Sequence, residues 1–245
     1  MTDELTKIDN KLIEVLSQEK GYFGRINTYG LRPTNNQFNG YELTESFYPV
    51  LEKMSEKQRK NLTRTITYFE IRANPLKKLL DFEMQQTLYD FYSIISWSQF
   101  MTVIMFGMLE MVIKEKSWAR LNKKGELIDK GNQIKKFLNE NLSEETKTDI
   151  TKYYLVDKVF KYEKEIKSFS DVVDHLWSEI RCGFIHNGGI ESRGLEWTTF
   201  KGIGTKEAPI MVGRETTIQD LLQMTWQAIL NSYGYTGQLE LSKYK

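Results

Sequence analysis

The sequence predicts an all-α fold, a helical bundle with a small β-hairpin insert near the C-terminus. Three observations carry this. Apolar residues recur at helical spacing through most of the chain. The stretch from Leu76 to about Lys116 holds no proline and one glycine, Gly107, and reads as one long helix or two joined by a kink. Only GLEWTTFKGIGTKEAPIMVGRE (194–215) alternates in the manner of strands, with Gly202, Gly204 and Pro209 as turn signals.

Each element has a local reason. Over 3–19, Leu5, Ile8, Leu12, Val15 and Leu16 form an amphipathic stripe, Thr2 or Asp3 can cap it, and Gly21 follows its end. Residues 21–40 carry four glycines, a proline and several asparagines, the composition of a loop. Helices return over 44–60 and 62–73, and Pro75 suits the first turn of the next one. In the long apolar segment Met101, Met105, Met108 and Met111 sit at helical spacing and belong to the core. NKKG within 117–131 marks a turn, and NKKGELIDKGNQIKK (122–136) reads as a solvated turn and helix start. Shorter helices follow at 132–141 and 144–165, and Ser168 or Ser170 caps a helix over 171–187. After the insert, Thr216 or Thr217 caps a last helix to about Ser232, with Ile218, Leu221, Leu222, Thr225, Trp226 and Ile229 on its apolar side. The predicted organisation is a helical segment over 1–74, a lid or part of the bundle, a main helical domain over 75–235, and a loose polar tail over 236–245.

Composition narrows the classes. With 245 residues and 40% hydrophobic content the chain can bury a full core. It carries 34 basic and 33 acidic residues, so any contact with nucleic acid must be local rather than a general basic coat. One cysteine excludes an intrachain disulfide, and with two histidines it leaves no cysteine-rich zinc site and no cofactor or metal to expect. The N-terminus lacks an apolar signal region. The most apolar run, FMTVIMFGML, is too short to span a bilayer and is flanked by Gln99 and Glu110. The expectation is a cytoplasmic protein with no membrane contact.

The stretch that bears chemistry is IRCGFIHNGG, residues 180–189. It holds one of the two histidines, the only cysteine, and Arg181 five positions before His186. On a helical wheel Val173, Leu176, Trp177, Ile180 and Phe184 share one apolar stripe. Arg181 and His186 lie off it, about 140° apart at roughly 100° per residue, with Cys182 and Ile185 between them. This is a small apolar patch bracketed by a guanidinium and an imidazole. It suits a second helix packing from within the fold or from a twin subunit. Gly183 costs about 1 kcal/mol against alanine in a helix and makes sense where something approaches closely.

An imidazole can give and take protons near neutral pH, and a guanidinium can hold a phosphate through two parallel hydrogen bonds. Together they supply what metal-free RNA cleavage needs, because the ribose 2′-OH is itself the nucleophile. Other readings of the same residues stay open. His186 can cap the last turn, Arg181 can pair with Glu179 or Asp174, and Glu110 can either orient Arg181 or sit at the surface beside Lys114.

The wording RCGFIHNGG resembles the signature of the HEPN superfamily (higher eukaryotes and prokaryotes nucleotide-binding), helical bundles with an Arg-x4–6-His motif late in the chain. Arg181 and His186 match the motif with four residues between. The preceding apolar helix with FGMLEMVIK (106–114), the insert and the C-terminal helix resemble one branch of that superfamily, so the likeness covers about 80–235. The resemblance implies a homodimer in which two Arg–His pairs meet across the interface as one metal-independent endoribonuclease site. It implies RNA as substrate and a role in prokaryotic defence or a toxin–antitoxin pair, with an antitoxin or other defence-system partner. Arg181 would stabilise the scissile phosphate and His186 would move protons. Asn187 would position substrate or cap the helix, and Glu110 would orient Arg181. Many active members carry Asn, Asp or His after the arginine; here the residue is Cys182. The alternative is a non-catalytic HEPN-like dimerisation module that binds a nucleotide or a protein. His175 is read as a partly buried or surface histidine without a role. GIGTK (202–206) lacks the spacing of a phosphate loop.

Overall fold

The computed structural model describes residues 2–26, 41–43, 45–85, 91–154, 165–187, 202–205, 208–211 and 218–241. Helix accounts for 74% of the described residues, which places the chain in the all-α class. Among the described residues no helix is long and apolar enough to cross a membrane.

Helix α1 (Thr2–Ile26) buries Leu5, Ile8, Leu12, Val15 and Leu16 and turns Asp3, Glu4, Lys7 and Glu14 outward, while Asp9 is half-buried and burial raises its carboxyl above the usual range. It runs through Gly21 instead of stopping before it. A single glycine costs only about 1 kcal/mol in a helix and does not end one by itself. Strand β1 (Tyr41–Leu43) follows, then the short α2 (Tyr48–Lys53), with Pro49 in its first turn.

Helix α3 spans Glu56–Gln85, and its start corrects the expected break near residue 61. The break lies at Met54–Ser55, where Ser55 and Gln58 form a reciprocal cap. The Gln58 amide donates to Ser55 Oγ at 3.3 Å, and the Ser55 amide donates to Gln58 Oε1 at 2.8 Å. Asn61 is instead buried inside the helix, donating through Nδ2 to the Tyr233 hydroxyl at 3.2 Å and to the Met111 carbonyl at 3.3 Å. Pro75, expected to open a helix, lies inside α3. It withholds one N–H from the carbonyl four residues back, at Ile71. Ile71 is 63% exposed, so solvent can take that carbonyl. The 74/75 division therefore falls within a helix. Leu12, Leu51 and Leu62 before it join the same core as Met108 and Trp226 after it.

Helix α4 (Phe91–Ile113) is the centre of the bundle, packed against α3, α5 (Lys130–Asn141) and α9 (Ile218–Asn231). Met101, Met105, Met108, Leu109, Val112 and Ile113 are all buried, whereas Met111, expected in the core with them, is half-buried. The long segment is thus two helices, α3 and α4, with 86–90 outside the described residues. The connection from α4 to α5 is pinned by the buried side chain of Gln133. It accepts the Arg120 amide at 2.8 Å and donates to the carbonyls of Arg120 and Ile128. Helix α6 (Glu144–Tyr153) carries a Ser143 cap, and 155–164 of the expected longer helix lie outside the described residues.

One continuous helix follows. Its first part is α7 (Phe169–His175), its middle is a π-helical turn (Leu176–Cys182), and its end is α8 (Gly183–Asn187). In the insert β2 (Gly202–Thr205) pairs antiparallel with β3 (Ala208–Met211). The caps expected at Thr216 and Thr217 are outside the described residues.

The tail corrects an expectation. Residues Leu239–Leu241 form β4 and pair antiparallel with β1, Leu43 opposite Leu239. Leu239 is buried, its amide donates to Gln227 Oε1 at 2.7 Å, and its carbonyl accepts from Gln223 Nε2 at 2.8 Å. A tail with a buried leucine and satisfied backbone groups is not loose there.

Replacing Gln133 with alanine strands the Arg120 amide and two carbonyls. Gln133→Ala should lower stability by about 1–3 kcal/mol in urea unfolding.

Candidate functional site

The motif helix begins at a full capping box. Ser168 Oγ accepts the Asp171 amide, and Asp171 Oδ2 accepts the Ser168 amide at 2.9 Å. Its apolar residues Val172, Leu176 and Ile180 recur every fourth position and are all buried. In an α-helix a four-residue repeat drifts about 40° per step. A wider i→i+5 turn reduces that drift and keeps Leu176 and Ile180 on the core side. Ser178 favours the widening, because its Oγ donates to the Asp174 carbonyl at 2.7 Å and competes for that acceptor.

The same turn stacks Arg181 on Trp177. The guanidinium carbon lies 4.5 Å from the indole centroid. Trp177 in turn meets Phe106 of α4 edge-on, at 5.2 Å and 79°. It also packs on Gly131 at the start of α5, where an added Cβ would lie 3.3 Å from the indole. The arginine therefore rests on a wedge fixed between α4 and α5.

Arg181 is only 18% exposed in its side chain, and its Nη2 lies 3.7 Å from Glu110 Oε1. The other carboxylate oxygen of Glu110 accepts from Lys130 Nζ at 2.7 Å. Glu110, 16% exposed, thus bridges the motif helix to the first residue of α5. This is the reading of Glu110 directed at Arg181, not the surface pair with Lys114. Of the other two carboxylates considered for Arg181, Asp174 instead pairs with Lys135 at 2.9 Å, and Glu179 accepts from Ser178 Oγ at 3.4 Å. Arg181 Nη1 is 3.7 Å from Cys182 Sγ, and Arg181 Nε is buried with no hydrogen-bond partner among the described residues. An unmatched guanidinium donor of this kind is costly unless a water or a ligand supplies the acceptor.

His186 lies on α8 with its ring exposed, next to Ile185, which is 44% exposed. It makes no hydrogen bond or ion pair among the described residues, with Arg181 or with a last-turn carbonyl. Asn187 ends α8, and its side chain, like that of Phe184, lies outside the described residues, as do Gly188 and Gly189. The structure therefore joins Arg181 to Glu110 and leaves His186 facing outward. His175, read as partly buried or at the surface, is 5% exposed, and its Nδ1 is 2.7 Å from the Tyr154 hydroxyl. It belongs to the packing between α6 and α7.

Sequence reasoning missed the contribution of α3. Tyr68 lies over α4 at Gly107, where an added Cβ would be 2.0 Å from its hydroxyl oxygen. The Arg72 guanidinium covers the Tyr68 ring at 3.8 Å. Burial raises the Tyr68 phenol above its ordinary pKa and Glu110 pushes the same way, while Arg72 and Arg181 oppose it. Gly107 itself was the available signal, a lone glycine in the most apolar helix. Among the described residues no group of three His, Cys, Asp or Glu side chains could hold a metal ion.

Glycine to alanine ordinarily strengthens a helix by up to about 1 kcal/mol. At position 107 the sign should reverse. Gly107→Ala should lower stability by about 1–3 kcal/mol through overpacking against Tyr68, and in a Tyr68→Ala background it should become stabilising. Thermal unfolding of the four proteins of this cycle measures both effects. Comparison of the chain with protein-family models, with characterised proteins and with solved structures finds no match.

Proposed function

We propose that this chain is a HEPN-like, metal-independent endoribonuclease that works as a homodimer in the cytoplasm, within a prokaryotic defence or toxin–antitoxin system. The observation that carries the proposal is the state of Arg181. It is held on Trp177 and beside Glu110, it is mostly buried, and its Nε has no acceptor among the described residues. A guanidinium fixed in this way is ready for a phosphate oxygen without further ordering.

The chemistry follows from the groups. The 2′-OH of the substrate attacks the adjacent phosphorus, and its proton passes to a base. The phosphorus–O5′ bond breaks, and the leaving oxygen takes a proton. The products are a 2′,3′-cyclic phosphate and a free 5′-OH. Arg181 stabilises the charge that gathers on the phosphorane oxygens, and His186 serves as acid or base. The exposure of His186 supports a role at a shared cleft, because it needs no rearrangement to meet a ligand. Exposed Ile185 beside it supports a dimer seam along the motif helix. Asn187 positions substrate or ends the helix. An antitoxin or other defence-system protein is the expected partner.

A second reading has its own observation. Arg181 and His186 make no hydrogen bond to each other among the described residues, and Cys182 stands where active members often carry a polar residue. On that reading the chain is a non-catalytic HEPN-like module that binds a nucleotide or a protein.

Cleavage of a mixed RNA pool in EDTA tests the choice. The wild-type protein should leave 2′,3′-cyclic phosphate ends. His186→Ala should lose about 10²- to 10⁴-fold in rate, and Arg181→Gln about 10²- to 10³-fold, with both variants folded by circular dichroism. No cleavage by the wild type would favour the binding module. Equal cleavage by all three would place the activity elsewhere.

A further inference from the structure

The Arg181 site has a second wall, built by α3, that the motif does not announce. Tyr68 and Arg72 stand one turn apart on α3, the guanidinium lying 3.8 Å over the phenol ring. The Tyr68 hydroxyl reaches the backbone of α4 at Gly107, so close that only glycine leaves it room. Gly107 is one helical turn before Glu110, the residue 3.7 Å from Arg181. The hydroxyl has no hydrogen-bond partner among the described residues. Arg181 Nε, on the motif helix across α4, has none either.

Charge decides what the vacant donors can accept. Arg181, Lys130 and Arg72 converge on one carboxylate and one phenol. Lys130 holds Glu110 at 2.7 Å, against 3.7 Å for Arg181, so most of the neutralisation of Glu110 comes from Lys130. Arg181 is left with capacity for a further anion. Burial and Glu110 keep the phenol protonated, so it offers a hydrogen and not a negative charge.

We infer that the Tyr68 hydroxyl donates a hydrogen bond to the same RNA phosphate that Arg181 binds, making α3 part of the substrate site. This rests on the ribonucleic-acid reading of the Arg181 site given above. Arg72, stacked on the ring, fixes the phenol's direction and adds a positive charge beside it.

The test uses a short mixed-sequence RNA with 2′-fluoro riboses, which cannot be cleaved by 2′-OH attack. Binding is read by fluorescence anisotropy in EDTA, and cleavage of the 2′-OH version is followed in parallel. Tyr68→Phe keeps the ring, the Arg72 stack and the clearance over Gly107, and removes only the donor. Kd should rise about tenfold or more, as for a hydrogen bond to a charged group. In an Arg181→Gln background the same change should add much less, because both groups hold one phosphate. Unchanged Kd in Tyr68→Phe overturns the inference, even if the wild type cleaves RNA. Binding without cleavage by the wild type removes the nuclease reading alone, and the Tyr68→Phe comparison still decides the role of Tyr68. A wild type that neither binds nor cleaves overturns both.

Discussion

The structure depends on enclosing α4. Its residues are apolar on nearly every side, so no single neighbour can satisfy it. Helices α3, α5, α9 and the motif helix surround it, and each presents the face that the need for cover selects. Trp226 on α9 is fully buried and meets Phe69 of α3 edge-on at 5.6 Å, closing the wall between those two helices. The site is a by-product of this enclosure. Where α4 leaves its apolar register, at Gly107 and Glu110, polar groups of three other helices converge.

A carboxylate and a guanidinium at this depth must satisfy each other or a ligand. Glu110 is well supplied, since Lys130 and Arg181 both face it. Arg181 is not, because its Nε is left over. Arg181 is therefore left with a donor to spare, as Arg59 is through its own Nε on α3. This contrasts with the pair Tyr154–His175, where a buried ring nitrogen has a hydroxyl at 2.7 Å and the packing needs nothing more.

Much of this was legible from local chemistry. The stripe Leu5 to Leu16, the Met101–Met108 core positions and the Ser168 cap follow from periodicity and capping alone. The SEKQ box at Ser55–Gln58 is an equally local signal, and it sets the helix start ahead of Asn61. The π turn had a trace in the four-residue spacing of Val172, Leu176 and Ile180. Other features had no local trace. Strand β4 is three residues long and exists only through pairing with β1. Glu110 could be placed on its helix but not assigned a partner, because Lys130 lies in a segment that reads as solvated. Tyr68 sits 39 positions before Gly107, and nothing short-range connects the two. Arg181 and His186 were legible as a pair of residue types. Their separate surroundings, one buried and one exposed, were not.

The β1–β4 ladder has a consequence in time. It joins ends of the fold whose neighbouring contact, the Glu45 amide to the Tyr235 hydroxyl, spans 190 positions. During synthesis at 5–20 residues per second, β1 waits roughly 10–40 s for its partner strand. Through that interval Leu43 lacks the cover that Leu239 later supplies, while α3, α4 and α5 can already associate. The nascent chain therefore passes through a stage in which the central bundle is assembled and its first strand is an open edge. That edge is available to a chaperone, or to the same strand of a neighbouring nascent chain, until the last turn of the fold arrives.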